Sequence, residues 1–325
     1  MAVMIGFEML RGLLGMAEAI DLLEAALSHE WRGRTFVSPK IVTDFEGGSM
    51  RLLMAADYET GFFATKAYHQ IRGVGTRYVV SLYRLSDGEL LAFLDGQVIT
   101  DLRTGAASGV IARKTDVDSP VSIGVIGSGN QARTQFESLA AVYPVEKAFV
   151  FSPTADHREA FAAEMSAKLG IAVRAVGSVQ DAVRGCAVVT TASGYRSSDP
   201  LLCREWLDRC RLLCAVGNTR PQFAEVDVRS FHDAELVVVD SPHAFEEAGD
   251  LRAAVKGGAI PDTKKATLAQ VVGGAVTVPR QGLIVFKSVG TALQDLALAV
   301  RCYELVHGRA ERTAVPDLAK LRGVR

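Results

Sequence analysis

Val121-Ser122-Ile123-Gly124-Val125-Ile126-Gly127-Ser128-Gly129-Asn130-Gln131-Ala132 decides the fold of this chain. An apolar strand runs into Gly-x-Gly-x-x-Ala, and an amphipathic stretch from Arg133 to Tyr143 follows. Strand, glycine turn and helix in that order form the phosphate-binding turn of a dinucleotide fold. Gly127 permits the tight turn. Gly129 lets the backbone approach a pyrophosphate, and Ala132 is small enough for the helix to pack on the sheet. The helix N-terminus, with Ser128, Asn130 and Gln131 around it, faces the phosphates with free N–H groups and the positive end of its dipole. An α/β turn with an empty site is the competing reading.

Outward from this turn, strands and helices alternate. Strands fit at 121–126, 147–151, 171–175, 187–191, 211–216, 235–239 and 283–287, with helical spacing between most of them. That pattern predicts a doubly wound parallel sheet, a Rossmann domain of the α/β class. Upstream the period differs. A helix is predicted over 16–28, then strands at 50–56, 61–68, 78–85 and 89–94, with Ser86-Asp87-Gly88 and Asp95-Gly96 as turn signals. This reads as an antiparallel sheet in a second, α+β domain. A helix follows over 101–114, with Thr100 or Asp101 as N-cap, and Thr115 to Pro120 reads as a hinge. The apolar helix Thr291 to His307 is expected to pack back on the first domain and make it discontinuous. The domains are placed at 1–118 with 303–325, and at 119–302.

The 325 residues suffice for about two domains. With 36 basic against 37 acidic side chains, nothing suggests a nucleic-acid surface. No segment reaches the length of a membrane span, and Glu8 and Arg11 interrupt the first apolar residues, so neither a membrane nor a secretory route is expected. The five cysteines include no C-x-x-C pair. Cys203, Cys210 and Cys214 lack a neighbouring His, so buried thiols in a reducing cytoplasm are expected rather than a metal site.

The second strand of a dinucleotide fold usually ends near an acid that binds the ribose hydroxyls. Here it ends Phe151-Ser152-Pro153-Thr154, and Asp156 comes too late. Ser152, Thr154, His157 and Arg158 offer donors instead, which favours NADP(H) over NAD(H), with NAD(H) still usable. Arg158 as a solvated helix residue is the competing reading. Thr191, Ala192 and Ser193 end a later strand, where small hydroxyl residues can lie beside the nicotinamide ribose; a plain turn is equally consistent.

Three further stretches complete a pattern. They are Leu94 to Ser108 (LDGQVITDLRTGAAS), Ala215 to Pro221 (AVGNTRP) and Phe286 to Asp295 (FKSVGTALQD). With Gly127 to Ala132, they resemble the ornithine cyclodeaminase/mu-crystallin family over roughly residues 8 to 310. The resemblance implies a homodimer, a sheet domain for dimerisation and substrate binding, and a Rossmann domain holding NAD(P)(H). It implies chemistry on small amino or imino acids. By the same resemblance Lys66 is the catalytic lysine, and Lys40 and Arg103 reach the substrate carboxylate. Val216, Gly217, Ser288 and Gly290 belong with the cofactor residues. Arg51 stands where it could join the basic cluster. A guanidinium suits a carboxylate because its planar fork binds both oxygens. A lysine buried beside other cations loses basicity and can exchange a proton near neutral pH.

One departure separates the branches. Cyclodeaminase members carry an Asp where this chain has Thr219, and a threonine cannot act as a carboxylate base or counter-ion. Asp295 and Glu225 are the remaining acids near family segments; Asp295 reads equally as a structural partner and as a substrate residue. The resemblance therefore implies an NAD(P)H-dependent ketimine reductase or amino-acid dehydrogenase. A cyclodeaminase is the first alternative. A crystallin-like nucleotide-binding protein without turnover is the second.

Overall fold

The computed structural model describes residues 2–307 and 313–315. They form two compact units: residues 2–103 with 291–307 and 313–315, and residues 104–290. The division differs from the expected 118/119 and 302/303. It falls inside the helix Gly96–Arg113, not in the Thr115–Pro120 segment. The later turns of that helix are held by the second unit: the Gln135 amide donates to Thr104 O, and the Tyr143 hydroxyl donates to Ala112 O. The helix Ala292–Val306 joins the first unit, as its apolar faces led us to expect.

The first unit begins with β1 (Ala2–Ile5), β2 (Thr35–Val37), β3 (Ile41–Phe45), β4 (Gly48–Asp57), β5 (Phe62–Ile71), β6 (Gly75–Arg84) and β7 (Leu90–Asp95). The last four are the expected antiparallel strands, at slightly shifted bounds. β1, β2 and β3 carry three to five residues each, too few for a period to show. β1 pairs parallel with β7, so the sheet is mixed and not purely antiparallel as expected. The helices Met16–Trp31 and Ala292–Val306 supply Ile20, Leu23, Leu27, Leu296 and Ala299 to the core beside Leu53 of β4.

The second unit contains β8 (Val121–Ile126), β9 (Val145–Phe151), β10 (Ala172–Ala175), β11 (Val188–Thr191), β12 (Leu212–Ala215), β13 (Leu236–Val239), β14 (Lys265–Thr267) and β15 (Ile284–Lys287). Their order is β10-β9-β8-β11-β12-β15-β13-β14, and every pairing is parallel. This is the doubly wound sheet read from the sequence, with one edge strand, β14, added. The order reverses at β8, which puts a switch point between β8 and β11, where such sheets open a crevice for ligands. The strand β16 (Thr313–Val315) returns to the first unit and pairs with β1. Of the C-terminal stretch assigned to the first domain, residues 308–312 and 316–325 lie outside the described residues.

Among the described residues no helix is long and apolar enough to cross a membrane. Cys186, Cys210, Cys214 and Cys302 are buried free thiols, and Cys203 is half-buried.

Candidate active site

In the second unit, β8 delivers Gly127 at φ +116, a region side chains rarely adopt; a Cβ there would strike the Ala192 carbonyl. Gly127 N donates to Phe151 O at 2.8 Å, which ties the tip of β8 to that of β9. Gly129 caps the helix Asn130–Val142 without any side-chain cap, and the space beside it is open. The positive end of that helix's dipole favours an anion there. Ala132, in the first turn of the helix, is fully buried, the packing role its size implied.

A cavity of about 670 Å³ lies over these tips. Of the residues assigned to the cofactor, Gly127, Ser128, Gly129, Ser152, Thr154, Ala192 and Ser193 line it. The Ser128 hydroxyl donates to Ser152 Oγ at 3.0 Å. Among the described residues no carboxylate lines the cavity, and the basic residues in its lining are His157 and Arg196. Arg158 is not in the lining: its guanidinium donates to Ser152 O and Pro153 O, so it braces the loop backbone. Arg196 was not singled out in the sequence, because a lone arginine in a loop carries no local signal.

Thr191, Val216 and Gly217 do not line this cavity. The Thr191 hydroxyl donates to Glu225, and Val216 N donates to Thr191 O. Ser288 and Gly290 are tied to Asp240, at the tip of β13. Its carboxylate accepts from the Ser288 hydroxyl at 2.6 Å, from Val289 N at 3.0 Å and from Gly290 N at 2.8 Å. Sequence reasoning missed Asp240, since an acid after a buried strand is common and its partners lie 48 to 50 residues away. Asn218 is buried and its Nδ2 has no hydrogen-bond partner among the described residues, a donor that a bound ligand would satisfy. Glycine cradle, uncapped helix and orphan donor together fit a dinucleotide.

In the first unit the register of β4, β5 and β6 builds a second group. Lys66 of β5 lies opposite Leu53 and Val80, while Tyr68 lies opposite Arg51 and Tyr78. Residues two apart share a face, so Arg51, Lys66, Tyr68 and Tyr78 do too. The Lys66 ammonium is buried. It donates to Thr100 Oγ1 at 2.6 Å and to Asp295 Oδ1 at 2.7 Å. The rings of Tyr78 and Tyr68 lie 5.2 and 5.8 Å from it. Arg51 donates to Ser49 Oγ and stacks over Tyr68 at 5.6 Å. Arg103 donates to Gln294 Oε1 at 3.1 Å and approaches Asp295 Oδ1 at 3.4 Å, leaving Nε without a hydrogen bond. Asp295 Oδ2 is likewise buried without one. Lys40 is half-buried and close enough to act on the Lys66 charge.

Burial pulls Lys66 down to about 8; Asp295 opposes this, while Arg103 and Lys40 add to it. Lys66 thus exchanges its proton close to neutrality. Thr100 is not the N-cap the sequence suggested. The helix starts at Gly96, because the Asp95 carboxylate accepts from Gln97 N and Val98 N. Thr100 instead donates its hydroxyl to Gly96 O, and its oxygen accepts from Lys66. Asp295, left open between two roles by the sequence, is the counter-ion of the lysine.

A model of the ornithine cyclodeaminase/mu-crystallin family matches residues 3–310. The chain belongs to this family. The ketimine reductase mu-crystallin of Mus musculus is 29% identical over 294 residues, which cover 90% of this chain and 80% of the relative. The structure of Thermococcus litoralis Delta(1)-pyrroline-2-carboxylate reductase in complex with NADH and L-proline superposes with a TM-score of 0.90 at 27% identity, covering 96% of this chain and all of that one. An archaeal alanine dehydrogenase dimer with bound NAD reaches 0.88 at 26% identity, over 96% of this chain and 99% of that one.

Proposed function

We propose that this chain is an NAD(P)H-dependent reductase of small α-imino acids, also able to run as an amino-acid dehydrogenase. The observation that carries this reading is the buried Lys66–Asp295–Arg103 group. It combines a proton donor poised near neutral pH with a guanidinium whose Nε remains to be satisfied. Arg103 and Lys40 bind the substrate carboxylate, and Arg51 extends the same cationic face. Lys66 has three N–H bonds, two of them spent on Thr100 and Asp295. The third gives its proton to the substrate nitrogen as the C=N bond is reduced, and takes it back in the oxidative direction. The nicotinamide, when bound, supplies the hydride. Gly127, Ser128, Gly129, Asn130 and Gln131 hold the pyrophosphate.

The cofactor is NADPH in preference to NADH. The support is a cavity lined by Ser152, Thr154, His157 and Arg196 and by no carboxylate, since an acid there would accept from ribose hydroxyls and repel a 2′-phosphate. Fluorescence titration of both nucleotides tests this. Tighter NADPH binding is expected, and Ser152→Asp should shift preference towards NADH. A wild-type preference for NADH would refute it.

The working form is a homodimer. Phe36, Ile41, Phe45 and Met50 expose large apolar side chains on one face of β2, β3 and β4, and a family relative of the same fold is a dimer. Light scattering should give twice the chain mass.

A panel of cyclic and linear imino acids, and of pyruvate with simple amines, followed by NADPH absorbance tests the activity. Net NADPH consumption is expected, with no ammonia from ornithine because Thr219 replaces the cyclodeaminase acid. Nucleotide binding without turnover on any imino acid would refute the reductase reading. Proline formation from ornithine would refute the reading of Thr219.

A further inference from the structure

Glu225 is fully buried in the second unit and has no part in the chemistry above. Its carboxylate collects three donors from the segment that ends β11. Oε1 accepts from Ser193 N at 3.1 Å and from the Ser193 hydroxyl; Oε2 accepts from Thr191 Oγ1 at 3.2 Å. A Cβ on Gly217, just beyond β12, would overlap both oxygens and the Ser193 backbone nitrogen. The glycine thus leaves room for the carboxylate and for the turn it holds.

The backbone around Glu225 fastens the other end of the same loop. Glu225 O accepts from Leu201 N at 3.0 Å and from Leu202 N at 2.8 Å, and Ala224 N donates to Ser197 O at 2.9 Å. The loop between these ties supplies Ser193, Gly194, Tyr195, Arg196 and Leu201 to the nucleotide cavity. The Ser193 hydroxyl donates to Glu225 and accepts from Tyr195 N at 3.2 Å, so it is spent on shaping the turn. Burial pushes the Glu225 carboxyl up and Lys287 opposes the shift. Lys287 is itself paired with Asp250 at 2.9 Å, both fully buried.

We propose that Glu225 is a positioning residue that holds the Ser193–Leu201 wall of the nucleotide cavity against the tips of β11 and β12. Its action is through hydrogen-bond acceptance, and it touches no reacting atom. The nucleotide arm of the test rests on the cofactor reading; the proteolysis arm does not.

The experiment compares Glu225→Ala with Glu225→Gln in the full chain. Arg196 is exposed on the loop, so trypsin cleavage after it reports how often the wall opens. Glu225→Ala is expected to speed that cleavage, and to weaken NADPH binding, by about tenfold or more each, the scale of losing buried hydrogen bonds to a charged acceptor. Glu225→Gln keeps an acceptor for Ser193 and offers its amide to Thr191 Oγ1, so both readouts should stay within about threefold of wild type. If Glu225→Ala does not fold, Ser193→Ala removes the hydroxyl tie alone and should show the same two changes in milder form. A purely structural role would lower the melting temperature of Glu225→Ala while leaving cleavage after Arg196 and NADPH affinity unchanged; that result overturns the proposal. So does a glutamine variant as defective as the alanine one. A wild-type chain that binds neither nucleotide would refute the cofactor reading, and the cleavage rates would still decide the role of Glu225.

Discussion

Replacing Asp295 by Asn keeps an oxygen that can accept from Lys66 and removes the charge 2.7 Å from its ammonium. In the wild type, burial and the neighbouring Arg103 and Lys40 depress Lys66, Asp295 holds it up, and the balance lies at about 8. At that value roughly nine-tenths of the lysine carries its proton at pH 7. An opposite charge so near raises an amine by about one to two units, so the variant should titrate near ~6 to 7. Its protonated fraction at pH 7 then falls to between about one-half and one-tenth. Imine reduction uses the protonated lysine, so kcat/KM is flat below the Lys66 value and declines above it. The prediction is a roughly two- to tenfold loss at pH 7, an alkaline limb moved down by about one to two units, and recovery towards wild type at lower pH. The oxidative direction needs the neutral amine, and its rising limb should move down in pH by the same amount. The assay is a pH series of kcat/KM for NADPH oxidation, with NADPH affinity measured alongside. A limb that stays near 8, or a loss equal at every pH, would refute Asp295 as the group that sets the lysine's proton.

Lys66→Met fills a similar volume without a proton; imine reduction should fall by at least about 100-fold while NADPH binding stays intact, checked by turnover and fluorescence titration. Arg103→Lys keeps charge but loses the planar fork, so KM for the imino acid should rise with little change in NADPH affinity, and an unchanged KM would remove Arg103 from the carboxylate site. Gly217→Ala forces a methyl group against the Glu225 carboxylate, and overpacking of this kind costs about 1–3 kcal/mol, read as a lowered urea midpoint together with weaker NADPH binding.

The parallel sheet was legible because its strands are buried on both faces. β12 and β13 are wholly apolar, and β8, β11 and β15 are short, largely apolar and almost completely buried stretches without the polar stripe of an amphipathic helix. β14 was not, because Lys265-Ala266-Thr267 is an edge strand of three residues that gains its place only by pairing with β13. The glycine turn was legible for a backbone reason: Gly127 must adopt a conformation, and leave a space, that only glycine supplies. Lys66 and Arg103 rested on resemblance, since one basic residue on a strand or helix looks like any solvated charge.

What the sequence could not yield are the partners of the carboxylates that act at a distance. Asp295 meets Lys66 across 229 residues, Asp240 meets Gly290 across 50, and Glu225 meets Thr191 across 34. Each is buried, and a buried carboxylate persists only where donors surround it, so each reports a constraint set by the assembled fold rather than by a local pattern. The three serve different ends. Asp295 sets the charge of the proton donor. Asp240 fastens the backbone that leaves β15, and Glu225 fastens the wall of the nucleotide cavity. Of these only Asp295 touches a residue that we place at the substrate. A pH profile should therefore respond to Asp295 alone, while substitutions at Glu225 should change nucleotide affinity and leave the alkaline limb where Lys66 puts it.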